Sequence, residues 1–139
     1  MSPNSVALAF EAEMAMAHIP VLTTELLELL RVKADSRVID CTFGAGGHAA
    51  AVAAALGPDG WLVACDRDPV AEEFYEALRP QFRCQSRFLP GNFADTLADL
   101  RQEGLTATHI YMDLGLSSMQ VDTEERGFSY SYDAPLDMR

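Results

Sequence analysis

The glycine cluster Gly44-Ala45-Gly46-Gly47 constrains this chain more than any other feature, because of what stands on either side of it. A short β-rich run, Arg37 to Phe43, stops at these glycines. An alanine-rich stretch from about His48 to Leu56 follows and ends at a Gly57-Pro58-Asp59-Gly60 turn. That order predicts a strand that turns sharply into a helix. The unit then repeats. Trp61 to Cys65 reads as a buried strand, and Pro69 suits the first position of a helix running to about Arg79. A third strand is expected near Ser86 to Leu89. The helix after it, Phe93 to Gln102, carries Phe93, Leu97 and Leu100 on one face, with Gly104 as its left-handed cap. A fourth strand is expected over Ala107 to Leu114. Strands and helices alternating at about 25 residues per unit define an α/β protein, a parallel sheet with flanking helices.

The flanks are less regular. Residues 1–17 show no period and read as a loose leader. Structure is expected from His18-Ile19-Pro20, with one amphipathic helix from Val21 to Arg31 that aligns Leu22, Leu26, Leu29 and Leu30 opposite Glu25 and Glu28. Residues 115–139 also lack a period, and loops of that length are uncommon unless they are functional. A doubly wound sheet normally continues beyond a fourth strand, so the expectation is an incomplete sheet, its first four strands only.

Composition bounds the function. The chain has 139 residues, enough for one domain that buries roughly two-thirds of its unfolded surface. Its 49% hydrophobic content excludes disorder. Cys41, Cys65 and Cys84 are odd in number and have no C-x-x-C spacing, which argues against a disulfide framework or a zinc ribbon and for a reduced, intracellular protein. No secretory signal or membrane-spanning stretch is indicated. The formal charge of −11, with Lys33 the single lysine among scattered arginines, disfavours a stand-alone nucleic-acid binder.

Three constellations could carry chemistry. Gly44, Gly46 and Ala49 satisfy the G-x-G-x-x-G/A spacing, which lets backbone approach a ligand and opens a helix N-terminus. Alone this is equally a tight turn. Asp66, at the end of the next strand, strengthens it, because a carboxylate there accepts bonds from ribose hydroxyls. The rival role for Asp66 is a helix cap, but Asp68 fits that role better, which leaves Asp66 for a ligand. Asp40, at the end of the first strand, would repel a pyrophosphate and attract a sulfonium, favouring S-adenosylmethionine over a dinucleotide. It could equally bind backbone amides of the glycine loop. A P-loop is excluded, since no G-x-x-x-x-G-K-[ST] occurs.

Gly91-Asn92-Phe93 follows the third strand. Phe93 could cover an adenine and Asn92 bond a base edge, although periodicity prefers Phe93 as a core anchor. Asp113-Leu114-Gly115-Leu116-Ser117-Ser118-Met119-Gln120 follows the fourth strand, where open α/β sheets place their chemistry. An exocyclic amine is a poor nucleophile, and Asp113 has the chemistry of an acceptor that would hold its N–H bonds; an Asx turn is the alternative. His18, His48 and His109 lack metal-ligand spacing, so no metal is expected. His109 reads as a satisfied core residue and His48 as a positioner of backbone or ligand.

These motifs resemble one family. His18-Ile19-Pro20-Val21-Leu22, Asp40-x-Thr42-Phe43-Gly44-x-Gly46-Gly47-His48, Asp66-Arg67-Asp68-Pro69, Gly91-Asn92-Phe93, Asp113-Leu114-Gly115-x-Ser117-Ser118-x-Gln120, Arg126-Gly127-Phe128-Ser129 and Pro135-Leu136-Asp137-Met138-Arg139 occur in the order and spacing of the bacterial 16S ribosomal RNA cytosine-N4 methyltransferases. The resemblance implies a Rossmann-like class I fold and methylation of N4 of a cytidine in the decoding region of small-subunit ribosomal RNA, in the cytoplasm. It implies S-adenosylmethionine contacts from Gly46, Gly47, His48, Asp66, Phe93, Asp113 and Gln120; the position of Asp113 after the fourth strand separately makes it the candidate catalytic residue. It further implies that residues 18–114 form the N-terminal part of the cofactor-binding domain, and that residues 115–139 form an active-site loop leading to a helical insertion absent from this sequence. Departures are Ala45, Met119, Val121 and Ala134. The last stands where a glycine is usual and a special backbone angle would matter. A nicotinamide-dependent oxidoreductase and a non-catalytic nucleoside-binding domain are the competing readings.

Overall fold

A computed structural model describes residues 20–138, so the expected leader and His18-Ile19 lie outside the described residues. Strands β1 (Arg37–Asp40), β2 (Trp61–Asp66), β3 (Gln85–Pro90) and β4 (His109–Tyr111) form a single parallel sheet in the order β3-β2-β1-β4. The helices are α1 (Thr23–Leu30), α2 (Gly47–Ala55), α3 (Val70–Leu78), α4 (Phe93–Gln102) and α5 (Ser118–Asp122). The chain steps outward from β1 to β3 and then returns to the far side of β1 for β4. The reversal opens a crevice at the carboxyl end of β1, where Asp40 pairs in register with Ala64 on one side and Tyr111 on the other.

Both faces of the central strands β1 and β2 are buried, as expected for parallel strands, while β3 and β4 are more open. Val38, Leu62 and Ala64 point to one face and join Phe43, Val52 and Tyr75 under α1, α2 and α3. Ile39, Cys41, Val63 and Cys65 point to the other and pack with Leu100, Leu97 and Phe93 of α4. The alternation along β1 and β2 follows from the two-residue period of a strand. All three cysteines are buried thiols without a disulfide.

Several boundaries differ from the sequence expectation, each for a local reason. β1 ends at Asp40 because its carboxylate captures the Thr42 N–H and bends the chain out of the ladder. β4 is three residues long because the Asp113 N–H turns to the Thr42 hydroxyl and leaves the sheet edge. In α1 the core-facing stripe is Leu26, Leu27 and Leu30; Leu22 and Leu29 are exposed, so the expected stripe was rotated. α4 has the expected bounds, and Gly104 follows it at φ +76°, with the Leu105 N–H bonded to the Leu100 carbonyl. The segment after β4 is more ordered than its lack of period implied. It contains α5 and a 3-10 turn at Glu124–Arg126. Ala134 has no positive φ, so the alanine sits there without the backbone strain that was expected of it.

Candidate functional site

The carboxyl ends of β1, β2 and β4 are tied together by side chains that hold backbone amides. Asp40 is fully buried: Oδ1 accepts the Thr42 N–H at 3.0 Å and Oδ2 accepts the Tyr111 hydroxyl at 2.7 Å. Burial pushes its carboxyl up to about 6, against the pull of both hydrogen bonds. Burial likewise raises the Tyr111 phenol well above its ordinary value, helped by the neighbouring carboxylate. Both oxygens of Asp40 are thus committed to its own loop and to Tyr111. Of the two roles open to it from sequence, the hydrogen bonds bear out the loop-binding one.

Asp66 ends β2 and faces the glycine loop. Its Oδ2 accepts the Gly44 N–H at 2.7 Å and its Oδ1 accepts the Asp68 N–H at 2.9 Å. The expectation of a carboxylate left entirely to a ligand needs correction, since each oxygen already holds one backbone amide. Each oxygen also retains a second acceptor position. The glycines divide by role. A Cβ on Gly44 would meet nothing within 4 Å, so its surface faces open space. Gly46, at φ +81°, is pressed against Leu78 and Phe43, and Gly47 against Pro20, so both are fixed by packing.

His48 and Asp113 meet across the crevice. His48 Nε2 lies 2.9 Å from the Val21 carbonyl, to which it donates, since a carbonyl only accepts. Nδ1 then faces Asp113 Oδ2 at 3.9 Å. The imidazole is largely buried, whereas the Asp113 carboxylate is 66% exposed. The Asp113 N–H donates to Thr42 Oγ1 at 2.7 Å, which fixes the backbone of this residue to the loop after β1. Sequence analysis gave Thr42 no role, although its place between Asp40 and the glycines marks it as a loop residue able to reach across.

The remaining expected site residues are engaged locally. Asn92 Oδ1 accepts the Ala94 N–H and caps α4, so its carbonyl goes to the helix rather than to a base edge. Phe93 is half-buried against the α4 side of the core, keeping part of its ring at the surface. Gln120 Oε1 accepts the Ser117 N–H at 3.0 Å while Ser117 Oγ accepts the Gln120 N–H at 3.2 Å, a capping box that opens α5. His109 is half-buried on the edge strand with Thr108 Oγ1 at 2.8 Å from Nδ1.

A further pair went unread in the sequence. Arg126 reaches Asp68 with both guanidinium nitrogens, Nη1 to Oδ2 at 2.5 Å and Nη2 to Oδ1 at 3.0 Å. The guanidinium holds the Asp68 carboxyl below the usual carboxylate range, against its partial desolvation. The helix starts at Val70 rather than Pro69, so Asp68 stands one residue before the N-cap, yet its Oδ1 still accepts the Val70 N–H at 3.1 Å. Both residues lay in recognised motifs, but 58 positions of separation carry no signal of contact.

Residues 15–139 match the MraW methylase family. Ribosomal RNA small subunit methyltransferase H of Rickettsia akari is 41% identical over 126 residues, which are 91% of this chain and 40% of that protein. The protein of the same name from Trichlorobacter lovleyi is 42% identical over 123 residues, 88% of this chain and 39% of that one. The chain thus spans about 40% of the length of the curated relatives it matches. Among solved structures, an O-methyltransferase from Bacillus cereus in complex with SAH superposes with a TM-score of 0.54 at 16% identity, covering 89% of this chain and 53% of that one. NSun6 from Pyrococcus horikoshii with SFG superposes at 0.54 and 23% identity, covering 70% and 24%. The fold is that of the Rossmann-like class I methyltransferases, and with the family match running over residues 15–139 the chain belongs to the MraW methylase family.

Proposed function

We propose that the chain supplies the S-adenosylmethionine-binding part of an enzyme that methylates N4 of a cytidine in the decoding region of 16S ribosomal RNA, in the cytoplasm. The observation that carries this reading is the meeting of Asp66, the Gly44 amide, Thr42 and Asp113 at the switch point of a parallel sheet in a methylase family. The relatives' shared name supports ribosomal RNA of the small subunit as substrate. Among the described residues no helix is long and apolar enough to cross a membrane. Residues 18–114 are read as the cofactor-binding part, and residues 115–139 as the active-site loop.

The site's chemistry fits the cofactor. Open space over Gly44 and Gly115, where a Cβ would meet nothing within 4 Å, suits close approach of a nucleoside. The second acceptor positions of Asp66 suit two adjacent ribose hydroxyls. Gly46 and Gly47 contribute by backbone alone, Phe93 by its remaining ring surface, and Gln120 and His48 by position at the rim. When bound, S-adenosylmethionine provides an electrophilic methyl group. Asp113 accepts the N–H of the target amine, concentrates the nitrogen lone pair toward that methyl, and takes the proton released. Thr42 orients Asp113 through the backbone, and His48 stands beside it. The cytidine must leave its stack to reach them.

Calorimetric titration of the chain with S-adenosylmethionine, S-adenosylhomocysteine and NAD tests the cofactor. Binding of the first two and not of NAD is expected; preference for NAD overturns the reading. Mass spectrometry of 16S ribosomal RNA nucleosides after incubation with the protein and donor tests the product, expected as N4-methylcytidine.

A further inference from the structure

The Arg126–Asp68 pair does more than staple two surface segments. It starts a line of hydrogen bonds that runs into the cofactor crevice. The guanidinium holds both oxygens of Asp68; the Asp68 N–H donates to Asp66 Oδ1 at 2.9 Å; and Asp66 Oδ2 accepts the Gly44 N–H at 2.7 Å. Three stretches distant in sequence, the glycine loop, the turn after β2 and the segment after β4, are thereby linked through two carboxylates, those of Asp68 and Asp66. The pair is sheltered as well: the Asp68 side chain is 7% exposed and that of Arg126 is 19% exposed. A bidentate fork at such a place fixes orientation as well as distance, which a lysine could not do.

The far end of the line is anchored too. Gly127, directly after Arg126, adopts φ +69°, and the place a Cβ would occupy is filled by the Pro135 carbonyl. The turn that presents the guanidinium is therefore packed closely against the Pro135 backbone. A shift of Arg126 would bear on Asp68, and through the Asp68 amide on Asp66.

We propose that Arg126 is a positioning residue for ribose recognition: through Asp68 it fixes the carboxylate of Asp66, so that affinity for the nucleoside's hydroxyls depends on the segment after β4. The inference rests on the reading of Asp66 as the ribose acceptor. It goes beyond that reading by making ribose recognition depend on Arg126, which lies 58 positions from Asp68 in the segment after β4. Arg126 does not contact the ligand; its effect is carried by Asp68.

The test compares S-adenosylhomocysteine with its 2′-deoxy analogue by calorimetry on the unaltered chain and on Arg126→Ala, Arg126→Lys and Asp68→Asn. The unaltered chain is expected to discriminate by about tenfold, the size of one hydrogen bond to a charged group. In Arg126→Ala the discrimination should shrink to about threefold or less. Arg126→Lys should fall between, since it keeps charge and loses the fork. Asp68→Asn keeps an acceptor for Val70 and serves if Arg126→Ala does not fold. Weaker binding with unchanged discrimination would make Arg126 a mere cross-link and overturn the proposal, as would unchanged affinity for both ligands. No binding of either ligand to the unaltered chain would instead overturn the cofactor reading itself, and this inference with it.

Discussion

The Tyr111 hydroxyl donates to Asp40 Oδ2 at 2.7 Å, joining the ends of two neighbouring strands through side chains that water does not reach. Burial raises the Asp40 carboxyl from 3.8 to about 6, so the folded chain binds this proton more tightly than the unfolded chain. Stability therefore falls as pH rises from about 4 through 6, and above that range the folded state carries a cost on the order of 3 kcal/mol. Asp40→Asn removes the titration. Urea melts of both forms at pH 4 and pH 7.5 are expected to show the variant gaining on the native chain by about that amount at the higher pH. A difference that stays flat across the range contradicts the assignment.

Tyr111→Phe removes the donor and leaves a buried carboxylate oxygen unsatisfied. Loss of about 1–3 kcal/mol is expected at neutral pH. The loss should shrink toward pH 4, where Asp40 is protonated and needs the donor less. Urea melts at the two pH values measure both effects.

Asp66→Ala withdraws the acceptor for the Gly44 and Asp68 amides together with the ribose contact. Affinity for S-adenosylmethionine should fall by about tenfold or more, read by calorimetry. Equal affinity would remove Asp66 from the site.

Asp113→Asn keeps the size of the side chain and the backbone tie to Thr42 while losing the negative charge. Cofactor affinity should stay within about threefold, and single-turnover methylation of ribosomal RNA should slow by about a hundredfold or more. Full turnover in a variant that binds cofactor normally would refute the role of Asp113 as proton acceptor.

Gly44→Ala and Gly46→Ala should separate cleanly. Both glycines have positive φ, at +56° and +81°, but only Gly46 lacks room: its Cβ would come within 2.5 Å of Leu78 Cδ1 and 2.6 Å of Phe43 Cζ. Gly44→Ala should cost about 1–2 kcal/mol from backbone strain alone. Gly46→Ala should add overpacking of about 1–3 kcal/mol more. Thermal melts give the comparison, and equal costs would mean that the packing around Gly46 yields.

The sheet, its parallel sense and the order of elements were legible because each unit announces itself locally, through β-branched residues, a glycine turn and a helical stripe. Phe93, Leu97 and Leu100 line up on α4 as their spacing requires. What spacing could not convey was the choice between two partners for one polar group. Asp40 could have faced a ligand or its own loop, and only the register that sets it beside Tyr111 decides for the loop. The stripe of α1 was misread because leucine occupies both of its faces, and contact with the core, not hydrophobicity, selects Leu26 over Leu29. Contacts between distant motifs, Arg126 with Asp68 above all, have no period to betray them. The ordered turns after β4 escaped for a related reason: their stability comes from capping hydrogen bonds, which leave no hydrophobic trace.

The Thr42, Gly44, Asp68 and Asp113 amides are each held at a set height by an oxygen from another residue, two of them around a turn and two between strand ends. Loops restrained in this way have surrendered their freedom during folding, before any guest arrives. Little ordering then remains to oppose association, so a nucleoside entering between these strands would meet a receptacle already shaped, and the heat released on entry should reflect contact rather than rearrangement.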